Sequence, residues 1–195
     1  MVNYKEKFQK GMTYAQYLAF TEEKVANNSS SGVKPSVEFI NYTKLNLSRM
    51  KRAEKTIKIN AKLADKLQNA KLNIIALTET WCGDASQNTP ILGLLEREFS
   101  GVKVSMLLRD EHHDIMNRHL TNGGMAIPKF IFLDGHFNII GEWGPRPKPL
   151  QKMVLDNKNS KHPIPHDEFS IEIQKWYNQD KSETLQSEIT ALLES

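Results

Sequence analysis

Between Lys71 and Lys158 short apolar runs alternate with stretches of helical periodicity, and this alternation limits the fold more than any other feature of the chain. Leu72 to Leu77 is an unbroken apolar run rich in Ile, which suits a strand covered on both faces. Asp84 to Phe99 reads as a helix and Val102 to Leu108 as a second strand. Asp110 can cap a helix running to about Leu120, and Asn122-Gly123-Gly124 supplies a left-handed stop. Lys129 to Leu133 and Phe137 to Trp143 flank Asp134-Gly135, a hairpin signal. A last helix begins near Pro147 and reaches Leu155. The order β-α-β-α-β-β-α predicts an α/β domain: a central mixed sheet with flanking helices, with Leu72–Leu77 and Lys129–Leu133 inside the sheet.

Helical segments flank this core on both sides, giving an N-terminal extension over 1–70, a core over 71–158 and a C-terminal extension over 159–195. Thr13 is an N-cap type ahead of Tyr14, Tyr17, Leu18 and Val25, and Asn27 to Gly32 reads as a loop. Tyr42, Leu45, Met50, Ala53, Ile57, Ala61, Ala64 and Leu67 then form one apolar stripe on a longer helix. A stripe of that size is expected to pack on the core or on a second copy of the chain. The same helix carries eight basic residues, among them Lys44, Arg49, Arg52 and Lys66. No aromatic residues interleave with them as a stacking platform requires, so they read as a solvated face and not as a nucleic-acid surface. Phe169, Ile173 and Trp176, then Leu185, Ile189 and Leu192, mark two amphipathic pieces after the proline-rich Lys161 to Pro165.

Net charge is +3, too small an excess to argue for nucleic acid. No apolar run approaches the ~20 residues of a membrane helix, and Met1 to Lys10 lack the apolar centre of a signal peptide. Cys82 is the only cysteine, so no internal disulfide can form. That usage fits a reducing, cytoplasmic setting.

Cys82 lies in Trp81-Cys82-Gly83-Asp84-Ala85-Ser86, which follows a buried strand and opens a helix. A cysteine there faces unpaired backbone N–H groups and the positive end of the helix dipole, and both lower a thiol pKa. Asp84 opposes this if it points at the sulfur. The alternative is a small buried apolar residue, a common fate for cysteine. Local sequence leaves both readings open.

Trp81-Cys82-Gly83 after a strand, Pro90 eight residues past the cysteine, and Ala126-Ile127-Pro128-Lys129-Phe130 before a later strand resemble the thioredoxin family. The likeness spans about Lys71 to Leu155. With the N-terminal helices and Trp143-Gly144-Pro145-Arg146-Pro147, the whole chain resembles a bacterial thioredoxin-like subfamily with Trp-Cys-Gly-Asp-Ala in place of Cys-x-x-Cys. The resemblance implies a thioredoxin fold, Cys82 as nucleophile, and a cis Ile127–Pro128 bond whose backbone pairs with a substrate chain. Trp81, Gly83 and Asp84 would line the approach. It implies no cofactor.

The departures are as informative. Ala85 stands where the family has its resolving cysteine, and Ala76 where many members have a buried carboxylate. Dithiol chemistry is therefore unsupported. What fits is monothiol exchange, with a low-molecular-weight thiol or a protein cysteine as the resolving partner, or a non-catalytic module that keeps the peptide groove. A thiol peroxidase would need an arginine near the sulfur, which sequence alone does not place. A cysteine phosphatase would need an arginine where Asn88 stands. No metal is expected: on one helix His112 and His119 would lie roughly 10 Å apart.

Overall fold

The run Leu72–Thr78 has no face suited to water, and the chain covers both. The computed structural model describes residues 2–32 and 36–194. In chain order the helices before the sheet are α1 (Tyr4–Lys10), α2 (Tyr14–Ala26), α3 (Val37–Thr56) and α4 (Ala61–Leu67). Then come β1 (Leu72–Thr78), α5 (Gly83–Glu98), β2 (Val102–Leu108), α6 (His113–Met116), β3 (Lys129–Leu133) and β4 (Ile139–Trp143). Helices α7 (Lys148–Lys158), α8 (His166–Asp180) and α9 (Glu183–Glu194) close the chain.

The sheet order is β2-β1-β3-β4, with β1 parallel to β2 and antiparallel to β3. The two runs with the least polar character, β1 and β3, are the two inner strands. Alternate residues serve opposite faces. Ile74, Ala76, Phe130 and Phe132 join Tyr17, Met50, Leu63, Leu92 and Ile189 on one side. Ile75, Leu77, Ile131 and Leu133 join Ile115, Met116 and Cys82 on the other. Truncating a fully buried ring such as Phe130 or Phe132 to Ala is expected to cost about 3–5 kcal/mol.

Met50, Ala53, Ile57 and Leu67 of the N-terminal stripe are buried on the sheet's first face, whereas Leu45 and Ala61 stay exposed. The stripe lies on two helices, not one. Ile57 turns extended, and Asn60 caps α4 by accepting the Leu63 N–H at 3.0 Å. Gln186 of α9 stitches the break, accepting from the Asn60 amide and donating to the Lys58 carbonyl. Deleting residues 1–68 would strip this face from β1, β3 and α5. The truncated chain is expected to be insoluble or to melt without a cooperative transition; a soluble fragment as stable as the full chain would make the extension an independent module.

Other local expectations change. Asp110 caps no helix: Arg109–Glu111 is a single 3-10 turn, and only four residues, α6, follow as helix. Asn122-Gly123 forms a tight turn closed by reciprocal Thr121–Gly124 backbone bonds, both residues having positive φ. The β3–β4 loop is longer than a two-residue hairpin, because the Asp134 carboxylate gathers the amides of His136 and Asn138. Helix α1 escaped the sequence reading. It has one turn's worth of apolar side chains, and Asn3 caps it.

Candidate functional site

Helix α5 begins where β1 leaves the sheet, and Cys82 is its N-cap. The sulfur accepts the Ala85 N–H at 3.5 Å and donates to the Ile127 carbonyl at 3.4 Å. Only 7% of Cys82 is exposed. Burial pushes the thiol up to about 12, with the Asp84 charge adding to it; the Ala85 N–H and Arg146 pull the other way and lose. Local sequence left an activated and a buried cysteine equally open; in the fold the sulfur is buried. The helix end is present, but desolvation of a thiolate beside a carboxylate outweighs it.

Pro128 lies opposite. The Ile127–Pro128 bond is cis, and Ile127 is buried in the same cluster as Cys82. The turn after β4 braces this segment. Gly144 has φ +124°, and a Cβ on it would fall 2.2 Å from the Pro128 carbonyl oxygen. Both the φ and the backbone clash forbid a side chain. Gly144→Ala should cost at least about 2 kcal/mol, read as a lower denaturant midpoint.

The Asp84 carboxylate is held from two sides. Arg146 reaches it at 2.7 Å and the Tyr177 hydroxyl donates to it at 2.9 Å, while Asn88 donates to Tyr177 at 3.0 Å. Burial still holds its carboxyl above the usual range, against the pull of Arg146 and Tyr177. Glu79 is also buried and raised, yet it is not aimed at the sulfur: its oxygens accept from the Ser31 hydroxyl and the Asp110 amide. Trp81 stacks on Phe39 with centroids 4.5 Å apart, and the Arg109 guanidinium sits 5.1 Å from its ring centre. Gly83 lies beneath Arg49, whose Nη1 would be 3.4 Å from a Cβ there.

Arg49, Trp81, Cys82, Asp84, Arg146 and Tyr177 are among the residues that line one pocket of about 440 Å³, which Glu79 does not reach. Its lining comes from the start of α5, from Ala126 and Ile127, and from α3 and α8. Of the residues singled out in the sequence, Trp81, Cys82, Gly83, Asp84 and Ile127 meet there; Pro128 sits just behind. Sequence reasoning missed Arg49, Arg109, Arg146 and Tyr177. Arg146 lay in a phrase already noticed, between Gly144 and Pro147, whereas Arg49 was one cation among many on a basic helix. Histidines do not converge: His119 is bonded to Tyr4 and Glu142, and no metal-holding group of three His, Cys, Asp or Glu occurs among the described residues. No helix among them is long and apolar enough to cross a membrane.

A mixed four-stranded sheet, a cysteine capping a helix that contains Pro90, and a proline loop facing that cysteine define a thioredoxin-fold protein. The chain belongs to the thioredoxin family: the family model described as Thioredoxin matches residues 32–162. Among solved structures it is similar to a protein of unknown function from Pseudomonas aeruginosa, at TM-score 0.66 and 19% identity, over 100% of this chain and 98% of that one. It is also similar to an HIV epitope-scaffold, at TM-score 0.65 and 16% identity, over 99% and 98% of the two chains. At such identities the likeness concerns the fold alone. No curated protein matches the chain.

Proposed function

We propose that the protein is a non-catalytic, thioredoxin-fold binding module, which seats its ligand over Cys82 and keeps that cysteine as a thiol. The observation that carries this reading is the Cys82 S–H donated to the Ile127 carbonyl. A thiolate cannot donate that bond, so ionisation costs a hydrogen bond as well as burial. The same carbonyl belongs to the backbone that a substrate strand would pair with in this family. Ala85 offers no resolving thiol. A reduced thiol suits a cytoplasmic setting, and the ligand is taken to be neither nucleic acid nor membrane.

One observation favours monothiol exchange instead: Cys82 lines the pocket and accepts an N–H from the start of α5. In that reaction its thiolate attacks a disulfide, a mixed disulfide forms, and the departing thiolate leaves; an external thiol then resolves the adduct. Incubation of the native protein with oxidised glutathione separates the two. The binding reading expects no adduct by intact mass, with labelling of one site per chain after unfolding. A glutathionyl adduct on the folded protein would establish exchange.

A further inference from the structure

We propose that the pocket over Cys82 takes a small amphipathic organic acid, its carboxylate on Arg49 and its apolar body against Tyr42, Leu45 and Ile127. This rests on the binding reading above and adds the ligand's chemistry.

Three arginines line the pocket, and two are already neutralised. Arg146 is paired with Asp84, and Arg109 with Asp110 at 2.8 Å. Arg49 is not. Its one hydrogen bond goes to Asn46 of its own helix, at 3.1 Å. Among the described residues no carboxylate lies within ion-pair distance of it. A half-buried guanidinium without an anion keeps the desolvation cost of its charge and gains little in return. Burial first, and then its neighbour Arg52, act against that charge, and they outweigh the favourable charge of Asp84, which lies beyond ion-pair distance. A ligand carboxylate would relieve all of this through a two-pronged contact that Arg geometry matches.

The surroundings of Arg49 favour an anion too. Its guanidinium lies over Gly83, at the positive end of the 16-residue α5. Asp84, the nearest acid, already has Arg146 and Tyr177 as partners. Glu38, the pocket's other acid, stands eleven residues earlier on α3, roughly 16 Å away along the helix. The remaining walls are mostly apolar, and Leu45 and Met125 at the rim are 46% and 43% exposed. Among the described residues, one lining arginine without a carboxylate at ion-pair distance and mostly apolar walls describe a monoanion with a hydrocarbon body, not a polyphosphate. At about 30 Å³ per water-sized group, the volume suits on the order of 15 non-hydrogen atoms.

Calorimetric titration of the full chain with decanoate, and with decanol as the neutral analogue, tests this. Decanoate is expected to bind at least about tenfold more tightly than decanol. Arg49→Gln should remove that advantage and leave decanol binding unchanged, with an unaltered melting curve showing that the fold is intact. Ile173→Trp, which fills the pocket from α8, should abolish binding of both. The proposal is overturned by equal affinity for acid and alcohol, by undiminished decanoate binding in Arg49→Gln, or by no decanoate binding up to about 1 mM. If the thiol meanwhile resists glutathione, only the ligand assignment falls. A thiol that forms the adduct removes the binding reading itself.

Discussion

Alkylation of Cys82 in the folded protein is expected to run about three orders of magnitude slower than that of a free cysteine at neutral pH. A free thiol ionises near 8.5, and burial pushes this one up to about 12. The reactive thiolate fraction falls by the ratio of those constants. The rate should rise about tenfold per pH unit, with no plateau near 8.5. The folded chain holds this proton more tightly than the unfolded chain. Its contribution to stability is therefore complete below about 8.5 and lost as pH climbs toward about 12. Asp84 is the second cause of the upward push, so Asp84→Asn should quicken alkylation. A rate plateau at or below 8.5 in the native protein would sink the protected-thiol account and return the monothiol nucleophile.

The sheet was legible in the sequence because its strands are locally unambiguous. Val102–Leu108 and Lys129–Leu133 were placed residue for residue, since a short β-branched or aromatic run bounded by polar turns has few alternatives. The helices beside it were less legible where tertiary contacts decide. Nothing in Ile57-Lys58-Ile59-Asn60 announces a break on its own; Gln186, 126 residues beyond Asn60, helps fix it. The residues of the site were legible where they are consecutive, from Trp81 to Asp84. The electrostatics were not. Whether Cys82 ionises depends on Ile127, Asp84 and Arg146, brought together from three parts of the chain. Local reasoning saw the helix end that lowers a thiol pKa and could not weigh the burial that raises it.

Arg146→Met is expected to destabilise the protein by about 3–5 kcal/mol at neutral pH, because it leaves the Asp84 carboxyl enclosed and without its cation. For a chain of this size that is a fall in Tm on the order of 10 °C. The pH dependence has a definite sign. Asp84 already titrates above the usual carboxylate range in the fold, and loss of Arg146 raises it further, since Arg146 is the largest influence holding it down. A carboxyl raised by folding favours the folded state below its unfolded value, near 3.9. That advantage is lost as pH rises through the folded value. The variant's deficit should therefore be largest at and above neutrality and shrink as pH falls toward 4. Asp84→Asn alone should cost less, because it removes the charge that burial opposes. Added to Arg146→Met, it should recover much of the loss, a coupling that a double-mutant cycle measures directly. Tyr177 gives a second readout: it donates to Asp84 from α8, whose only buried residue it is. Weakening Asp84 should loosen α8, seen as faster proteolysis in the exposed stretch 159–165. A deficit that is flat with pH, with no recovery in the double variant, would mean that Arg146 acts through packing and not through its charge on Asp84.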